Sequence, residues 1–288
     1  MSHWKRAGVL DRCEDRRSDP AWVAECWANN EARVIGVDRE GRVDHDGGAL
    51  SFVATEGPYD ADQHFLLGLW DGAPLFVRAV PTAQDGLRAV IGGLSVEHLQ
   101  VAFAAVGLIG WHHRAGFCPA CGTASQPVLA GLSRRCPSCG MEDYPRSDAA
   151  VIMAVTDAED RLLLARQPVW PSGMYSVLAG FAEVGESLEQ TVHREVAEEV
   201  GLELGQVRYL GSQPWPFPRS LMVAFAAEST GTELRPSPTE VEDACWVTRD
   251  ELRERVSAGS MSLPMAASIA RRMIEAWLDG ELTAERVG

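Results

Sequence analysis

Short apolar runs bounded by turn-forming residues fill much of the first part of the chain, and strands alternating with helical signals follow later. Residues 32–37, 50–54, 64–70 and 75–80 are rich in Val, Leu, Phe and Trp and are bounded by polar and glycine-containing stretches, so they are predicted as strands. Asp71-Gly72, between the last two, is a tight hairpin signal. Ser95 is placed to cap a helix running to about Trp111, with Leu99, Phe103, Val106 and Ile109 along one side. From Tyr144 the pattern changes. Residues 149–155 and 161–165 read as a strand pair, 175–179 as a third strand, and 207–210 and 221–227 as two more. Helical signals fall between and after them: 188–200, a capping box at Thr248-x-x-Glu251, and 263–278. Strands alternating with helices predict an α/β sandwich for this half.

The 188–200 segment carries the chemistry. Ser187 and Gln190 form a capping-box pair, and Gly201 is the expected left-handed stop. Leu188, Val192, Val196 and Val200 line one strip of this helix, and Glu195, Glu198 and Glu199 share a neighbouring one. Carboxylates crowded together raise one another's pKa unless a cation sits among them, and hard divalent cations answer that need. A solvated acidic face is the alternative for an isolated E-x-x-E-E. Arg194, four residues before Glu198, can hold that side chain in place.

Length and composition set the outer limits. At 288 residues, with 46% apolar and 23% charged residues, the chain reads as a two-domain-sized globular protein. Residues 1–10 are charged without the apolar core of a leader, and the run 101–111 is too short to span a bilayer, so a cytoplasmic protein is expected. The net charge of −15 argues against a general nucleic-acid surface while allowing a local basic groove. Lys5 is the single lysine, which removes most lysine-based catalysis; a skewed gene composition explains the arginine bias equally well.

Cys118-Pro-Ala-Cys121-Gly and Cys136-Pro-Ser-Cys139-Gly, 14 residues apart, have the spacing of tetrahedral thiolate coordination of Zn²⁺. Four protein ligands leave no open position, so this zinc is expected to be structural; redox dithiols are the alternative. Cys13, Cys26 and Cys245 have no partner at metal spacing and read as buried or free thiols. His98, His112 and His113 read as packing or surface residues, and Arg88 as a residue able to reach the substrate of a neighbouring domain. Ser212-Gln-Pro-Trp-Pro-Phe-Pro-Arg-Ser220 alternates prolines with polar and aromatic residues. It cannot be helical and should form a stiff loop suited to flat rings, or else a proline-braced packing loop.

Gly180, Glu186, Arg194, Glu195, Val196, Glu198, Glu199, Gly201 and Leu202 together match the Nudix hydrolase box, and the SQPWPFPxS segment beyond it resembles the signature of the NADH pyrophosphatases. A zinc ribbon directly before the box strengthens this resemblance, which covers nearly the whole chain. It implies a Nudix α/β/α sandwich with a mixed sheet over 145–288, a four-cysteine zinc ribbon over 113–144 and a mostly β N-terminal domain over 1–112. It implies hydrolysis of a nucleoside diphosphate linked to a second group. Mg²⁺ or Mn²⁺ would be held by Glu195, Glu198, Glu199, Glu240 and the carbonyl of Ala179, with Glu186 completing the cluster. The general base would be one of these glutamates or one on a later loop.

Carried over residue by residue, the resemblance places a nicotinamide between Phe181 and Tyr144, with the partner subunit supplying one ring in a homodimer. It assigns nucleotide contacts to Gln213, Pro214, Trp215, Pro216, Phe217, Pro218, Arg219 and Ser220, and a substrate contact to Ala270. Gly131 stands where some relatives carry an acidic substrate contact. The implied substrates are NADH or NAD⁺, cut to AMP and NMNH or NMN, and NAD-capped RNA, in which the scissile bond is the same. A Nudix enzyme acting on ADP-ribose or another nucleotide sugar, and a non-catalytic zinc-ribbon module binding RNA or nucleotide, are the alternatives; the intact glutamates speak against the second.

Overall fold

The computed structural model describes residues 7–282, which divide into two compact units. One comprises residues 7–147 with the short segment 216–219, and the other the rest of the chain from Asp148. The charged opening stretch 1–10 lies largely outside the described residues.

In the first unit a seven-stranded sheet has the order β1-β7-β8-β2-β3-β9, with β6 also paired to β2. Its strands are β1 (Leu10–Asp11), β2 (Arg33–Val37), β3 (Arg42–Val43), β6 (Val53–Ala54), β7 (Phe65–Trp70), β8 (Ala73–Ala79) and β9 (Asp85–Gly86). A separate small hairpin joins β4 (His45–Asp46) to β5 (Ala49–Leu50). Asp71 and Gly72 both have positive φ, as a two-residue primed turn requires. The expected strand over 50–54 is broken at Ser51 and Phe52, so it forms two short pieces.

Three helices accompany this sheet. Asp19 caps α1 (Pro20–Ala28) by accepting from the N–H groups of Ala21 and Trp22, and Pro20 occupies the first turn. Its Trp22, Val23, Cys26 and Trp27 pack with Leu66 and Phe76. A single turn, α2 (Leu87–Val90), precedes α3 (Val96–Arg114), which Ser95 caps as expected and which runs three residues past Trp111. Of the helices among the described residues, none is long and apolar enough to cross a membrane.

The ribbon is a three-stranded sheet of β10 (Gln126–Val128), β11 (Ser133–Arg135) and β12 (Glu142–Asp143). It docks on the N-terminal sheet through Ala130, which enters the core of Trp27, Leu66 and Phe76. At Gly131, φ is 86° and an added Cβ would lie 2.4 Å from the Phe65 ring. A side chain at this position would run into that ring.

The second unit contains β13 (Asp148–Thr156), β14 (Leu162–Arg166), β15 (Leu178–Phe181), β16 (Leu204–Trp215), β17 (Ser220–Ser229) and β18 (Asp243–Val247). The order is β16-β17-β13-β14-β18, with β15 also paired to β13. β13 and β17 are parallel and the other pairs antiparallel, so the sheet is mixed. Two-residue alternation sends Ile152, Ala154, Leu162 and Leu164 to one face. There they meet Leu252 of α5 (Arg249–Ser257) and Met273, Ile274 and Trp277 of α6 (Ile269–Leu278). Val151, Met153, Val155 and Leu163 go to the other, against Val192, Val196 and Val200 of α4 (Leu188–Val200). The result is an α/β/α sandwich.

Three boundaries differ from the sequence reading. β15 begins at Leu178, so the third strand enters the box itself instead of ending before it. The C-terminal helix starts at Ile269, where the Ser268 hydroxyl accepts from the Arg271 N–H, and the residues just before it form a turn closed by the Ser268 N–H on the Met265 carbonyl. β16 continues through Gln213, Pro214 and Trp215, paired to Met222, Leu221 and Ser220, so only 216–219 is a turn. Pro214 is tolerated because β16 is an edge strand.

Candidate active site

Ser187 accepts from the Gln190 N–H while the Gln190 side chain accepts from the Ser187 N–H, and Gly201 ends α4 at φ 70°. This fixes where the helix begins and ends, and therefore which residues face β15. Gly180 on β15 lies against Glu195: an added Cβ would sit 1.8 Å from the Glu195 Cδ. The glycine of the box is thus the floor on which this carboxylate rests.

Arg194 organises the cluster. Its Nε donates to Glu186 Oε1 at 2.7 Å and its Nη2 to Glu186 Oε2 at 3.0 Å, a bidentate pair. Nη1 donates to Glu195 at 2.9 Å and to Glu198 at 3.0 Å, and Nη2 also reaches the Phe181 carbonyl at 2.9 Å. The hydrogen bonds from Arg194, helped by the Glu183 N–H, bring the Glu186 carboxyl down to about 2. In return Glu186, followed by the other two glutamates, raises the guanidinium pKa. Glu186 therefore stays ionised and serves to anchor Arg194, a role its spacing alone did not reveal.

Glu199 has the opposite environment. It is 6% exposed, and its Oε2 has no hydrogen-bond partner. Burial first, then the charges of Glu195, Glu240 and Glu198, push its carboxyl up to about 8. Glu195 is raised as well, chiefly by burial and against the pull of Arg194. A buried, unpartnered carboxylate oxygen facing three further carboxylates is costly as it stands and is relieved by a divalent cation with oxygen preference. Carboxylate oxygens have the chemistry such an ion takes, while the ligating side-chain atoms that lie within 4.8 Å of one another among the described residues are those of the four ribbon cysteines. Glu240 comes from the loop before β18, far from α4 in sequence, and the fold brings its charge within range of Glu195 and Glu199.

The remaining residues of the second unit occupy different settings. Phe181 is 58% exposed at the end of β15. Gln213 is fully buried: its amide donates to the Ala267 carbonyl at 2.8 Å and accepts from the Ile269 N–H at 2.6 Å. It anchors the start of α6, where Ala270 is 7% exposed. In the first unit, Phe217 packs edge-on against Phe103 and beneath the Arg88 guanidinium, 4.9 Å from its ring centre. Tyr144 is half exposed and donates to Glu142 at 2.7 Å.

The four ribbon cysteines form the second site. Their Sγ atoms all lie within 4.8 Å of one another, with separations of 3.5, 3.6 and 3.7 Å among the closest. Tetrahedral zinc thiolates with bonds of about 2.3 Å have sulfurs roughly 3.8 Å apart, so the set fits Zn²⁺. Gly122 and Gly140 follow the two knuckles with φ 73° and 76°, returning their N–H groups to the carbonyls of Cys118 and Cys136. Thr123 hydrogen bonds lower the Cys121 thiol, while hydrogen bonds to the other three cysteines raise that of Cys139. Beside the ribbon, His112 stacks on Phe65 with ring centres 3.8 Å apart, and His98 accepts from the Leu50 N–H, so both serve packing. Cys13 and Cys26 are buried and Cys245 is partly buried.

A glutamate helix resting on a glycine strand of a mixed sheet is the arrangement of a Nudix domain, and the Nudix family matches residues 145–271. The NADH pyrophosphatase zinc ribbon family matches residues 113–144. A NAD-capped RNA hydrolase NudC of Mycobacterium bovis (strain BCG / Pasteur 1173P2) is 39% identical over 292 residues, covering 93% of this chain and 92% of its own. The protein of the same name from Chromobacterium violaceum is 42% identical over 216 residues, covering 73% of this chain and 78% of its own. The chain belongs to the zinc-ribbon-containing Nudix hydrolases.

Proposed function

We propose that this enzyme hydrolyses the pyrophosphate of NADH or NAD⁺ to AMP and NMNH or NMN, and removes the NAD cap from RNA to leave a 5′-monophosphate end. The observation that carries the reading is the unpartnered Glu199 oxygen set among Glu195, Glu198 and Glu240 in an intact Nudix box. Relatives named for NAD-cap hydrolysis, similar over nearly the full length, direct it to this substrate class.

The carbonyl of Ala179 with Glu195, Glu198, Glu199 and Glu240 would hold Mg²⁺ or Mn²⁺, which when bound neutralises pyrophosphate oxygens and acidifies water. The protein's own part is preorganisation. Glu186 fixes Arg194, Arg194 fixes Glu195 and Glu198, and Gly180 leaves the space in which Glu195 sits. The exposed rings of Phe181 and Tyr144 are suited to sandwich the nicotinamide, one from each subunit of a homodimer. Residues 213–220 and Ala270 would grip the nucleotide, Gln213 acting from behind by holding the start of α6. Zinc in the ribbon is structural, and the protein works in the cytoplasm.

The test is chromatographic. With Mg²⁺ or Mn²⁺, NADH should yield AMP and NMNH in equal amounts, and NAD-capped RNA should yield 5′-monophosphate RNA. Cleavage of ADP-ribose with both of these left intact would replace the proposal by a nucleotide-sugar hydrolase.

A further inference from the structure

The first unit holds a cavity of about 440 Å³ whose Arg39 and Arg114 take no part in the foregoing chemistry. Its walls include Arg39, Arg88 and Arg114 together with Pro216, Phe217 and Pro218 of the loop between β16 and β17. This chain has 41 acidic and only 26 basic residues, so three guanidiniums around one hollow run against its overall charge. The arginines of the second unit are mostly tied to carboxylates: Arg161, Arg166, Arg194, Arg235, Arg249, Arg253 and Arg271 all form ion pairs. Arg39 and Arg114 form none among the described residues.

The carboxylates of this cavity do not cancel them. Asp38 is buried and already accepts from the backbone N–H groups of Glu40, Arg42 and Ala83, at 3.0, 2.8 and 3.3 Å, so its charge closes the turn between β2 and β3. Glu40 is the other acidic group on the wall and is exposed. On the far side, Arg88 lies over the Phe217 ring, which Phe103 holds edge-on. The wall is thus braced by packing while Arg39 and Arg114, both exposed, present unspent positive charge to the hollow.

We propose that this cavity binds the phosphodiester backbone of the RNA body carried by a NAD cap, with Arg39 and Arg114 as the phosphate ligands. Guanidinium groups suit phosphate oxygens by charge and by paired N–H geometry. Free NADH has no phosphodiester beyond its pyrophosphate, so Arg39 and Arg114 contribute to the capped RNA alone. It gives an acidic protein a local means of holding a polyanion. The inference rests on the reading of capped RNA as a substrate.

The test compares wild type with Arg39→Ala, Arg114→Ala and the double variant on NADH and on a NAD-capped RNA of about twenty nucleotides, between 50 and 200 mM salt. The double variant should lose roughly tenfold or more in kcat/KM on the RNA and keep wild-type kcat/KM on NADH. Its salt dependence on the RNA should flatten by about 0.7 in log–log slope for each phosphate contact removed. Arg39→Lys with Arg114→Lys should restore most of the RNA activity, since point charge is kept. Unchanged RNA cleavage overturns the proposal, and so does a parallel loss on NADH, which would assign the cavity to the dinucleotide. Binding of 5′-monophosphate RNA, measured by fluorescence anisotropy on the same proteins, separates the two levels. A wild type that cleaves neither substrate sinks the functional reading, yet weaker RNA binding by the double variant would still uphold the cavity, and equal binding would remove it.

Discussion

Replacing Gly180 by alanine should disable the enzyme without unfolding it. The added Cβ would stand 1.8 Å from Glu195 Cδ and 2.0 and 2.2 Å from its two oxygens. Carbon atoms in contact sit at about 3.5 Å or more, so the carboxylate must retreat by roughly 2 Å. Glu195 can do this, because the clash falls on the far end of a flexible side chain, but it then abandons its 2.9 Å bond to Arg194. Loss of one partly exposed ion pair costs about 1 kcal/mol, which for a domain of this size lowers the melting temperature by roughly 2–4 °C. Catalysis should suffer far more, since misplacing a reacting group by about 1 Å can cost on the order of 10²-fold. The assay is AMP release from NADH at saturating Mn²⁺, run beside a thermal melt. A fall in kcat of about a hundredfold with a nearly unchanged melt is expected. Turnover within about threefold of wild type would show Glu195 to be dispensable at its present position.

Three further outcomes follow from other parts of the molecule. His112 donates from Nε2 to the Gly131 carbonyl at 2.8 Å and accepts at Nδ1 from Arg134 at 3.1 Å; burial, with the nearby charges of Arg134 and His113, lowers it from 6.5 to about 4. A histidine depressed in the folded state costs stability as pH falls from 6.5 towards 4, here by up to roughly 3 kcal/mol, so His112→Gln should flatten that acid loss in denaturant titrations relative to wild type. Gly131→Ala meets both a φ of 86° and the Phe65 ring at 2.4 Å, and should destabilise the first unit by about 2–4 kcal/mol in the same titrations. Metal analysis should find about one zinc per chain, and Cys136→Ser should lose it and lower the melting of the unit containing the ribbon; full zinc content in that variant would contradict the four-thiolate site.

The parts of the fold that were legible in the sequence are those whose signals are local. Ser187, Gln190 and Gly201 bound α4 to the residue because caps act within one turn. Two C-x-x-C-Gly knuckles identified the ribbon because thiolate geometry fixes their spacing. The misplaced boundaries of β15 and β16 depended on pairing. β16 runs on through Pro214 because it is an edge strand, which no window of sequence reveals. Asp19 and Pro20 did carry a helix-start signal for α1, but the short apolar runs around them favoured a strand-rich reading. At the site, Arg194 to Glu198 was readable as an i, i+4 pair, whereas the anchoring of Arg194 by Glu186 depends on the loop before α4 folding back. The burial of Glu199 was equally hidden, since it shares its polar strip with an exposed Glu198 and only the packing of β15 and the Glu240 loop tells them apart. Gln213 shows the same limit: a motif position suited to substrate contact has both ends of its amide engaged within the protein.

We propose the carboxylates around Glu199 as the divalent-cation site of a pyrophosphatase. Mn²⁺ binding and AMP release from NADH, followed on wild type and on Glu199→Gln in the same preparations, test it most directly. The folded variant should bind Mn²⁺ at least tenfold more weakly and release almost no AMP, because a neutral amide cannot supply the anionic oxygen that the buried Glu199 carboxyl offers a cation on losing its proton. A variant that binds Mn²⁺ as tightly as wild type, or that still turns NADH over at the wild-type rate, would contradict this assignment.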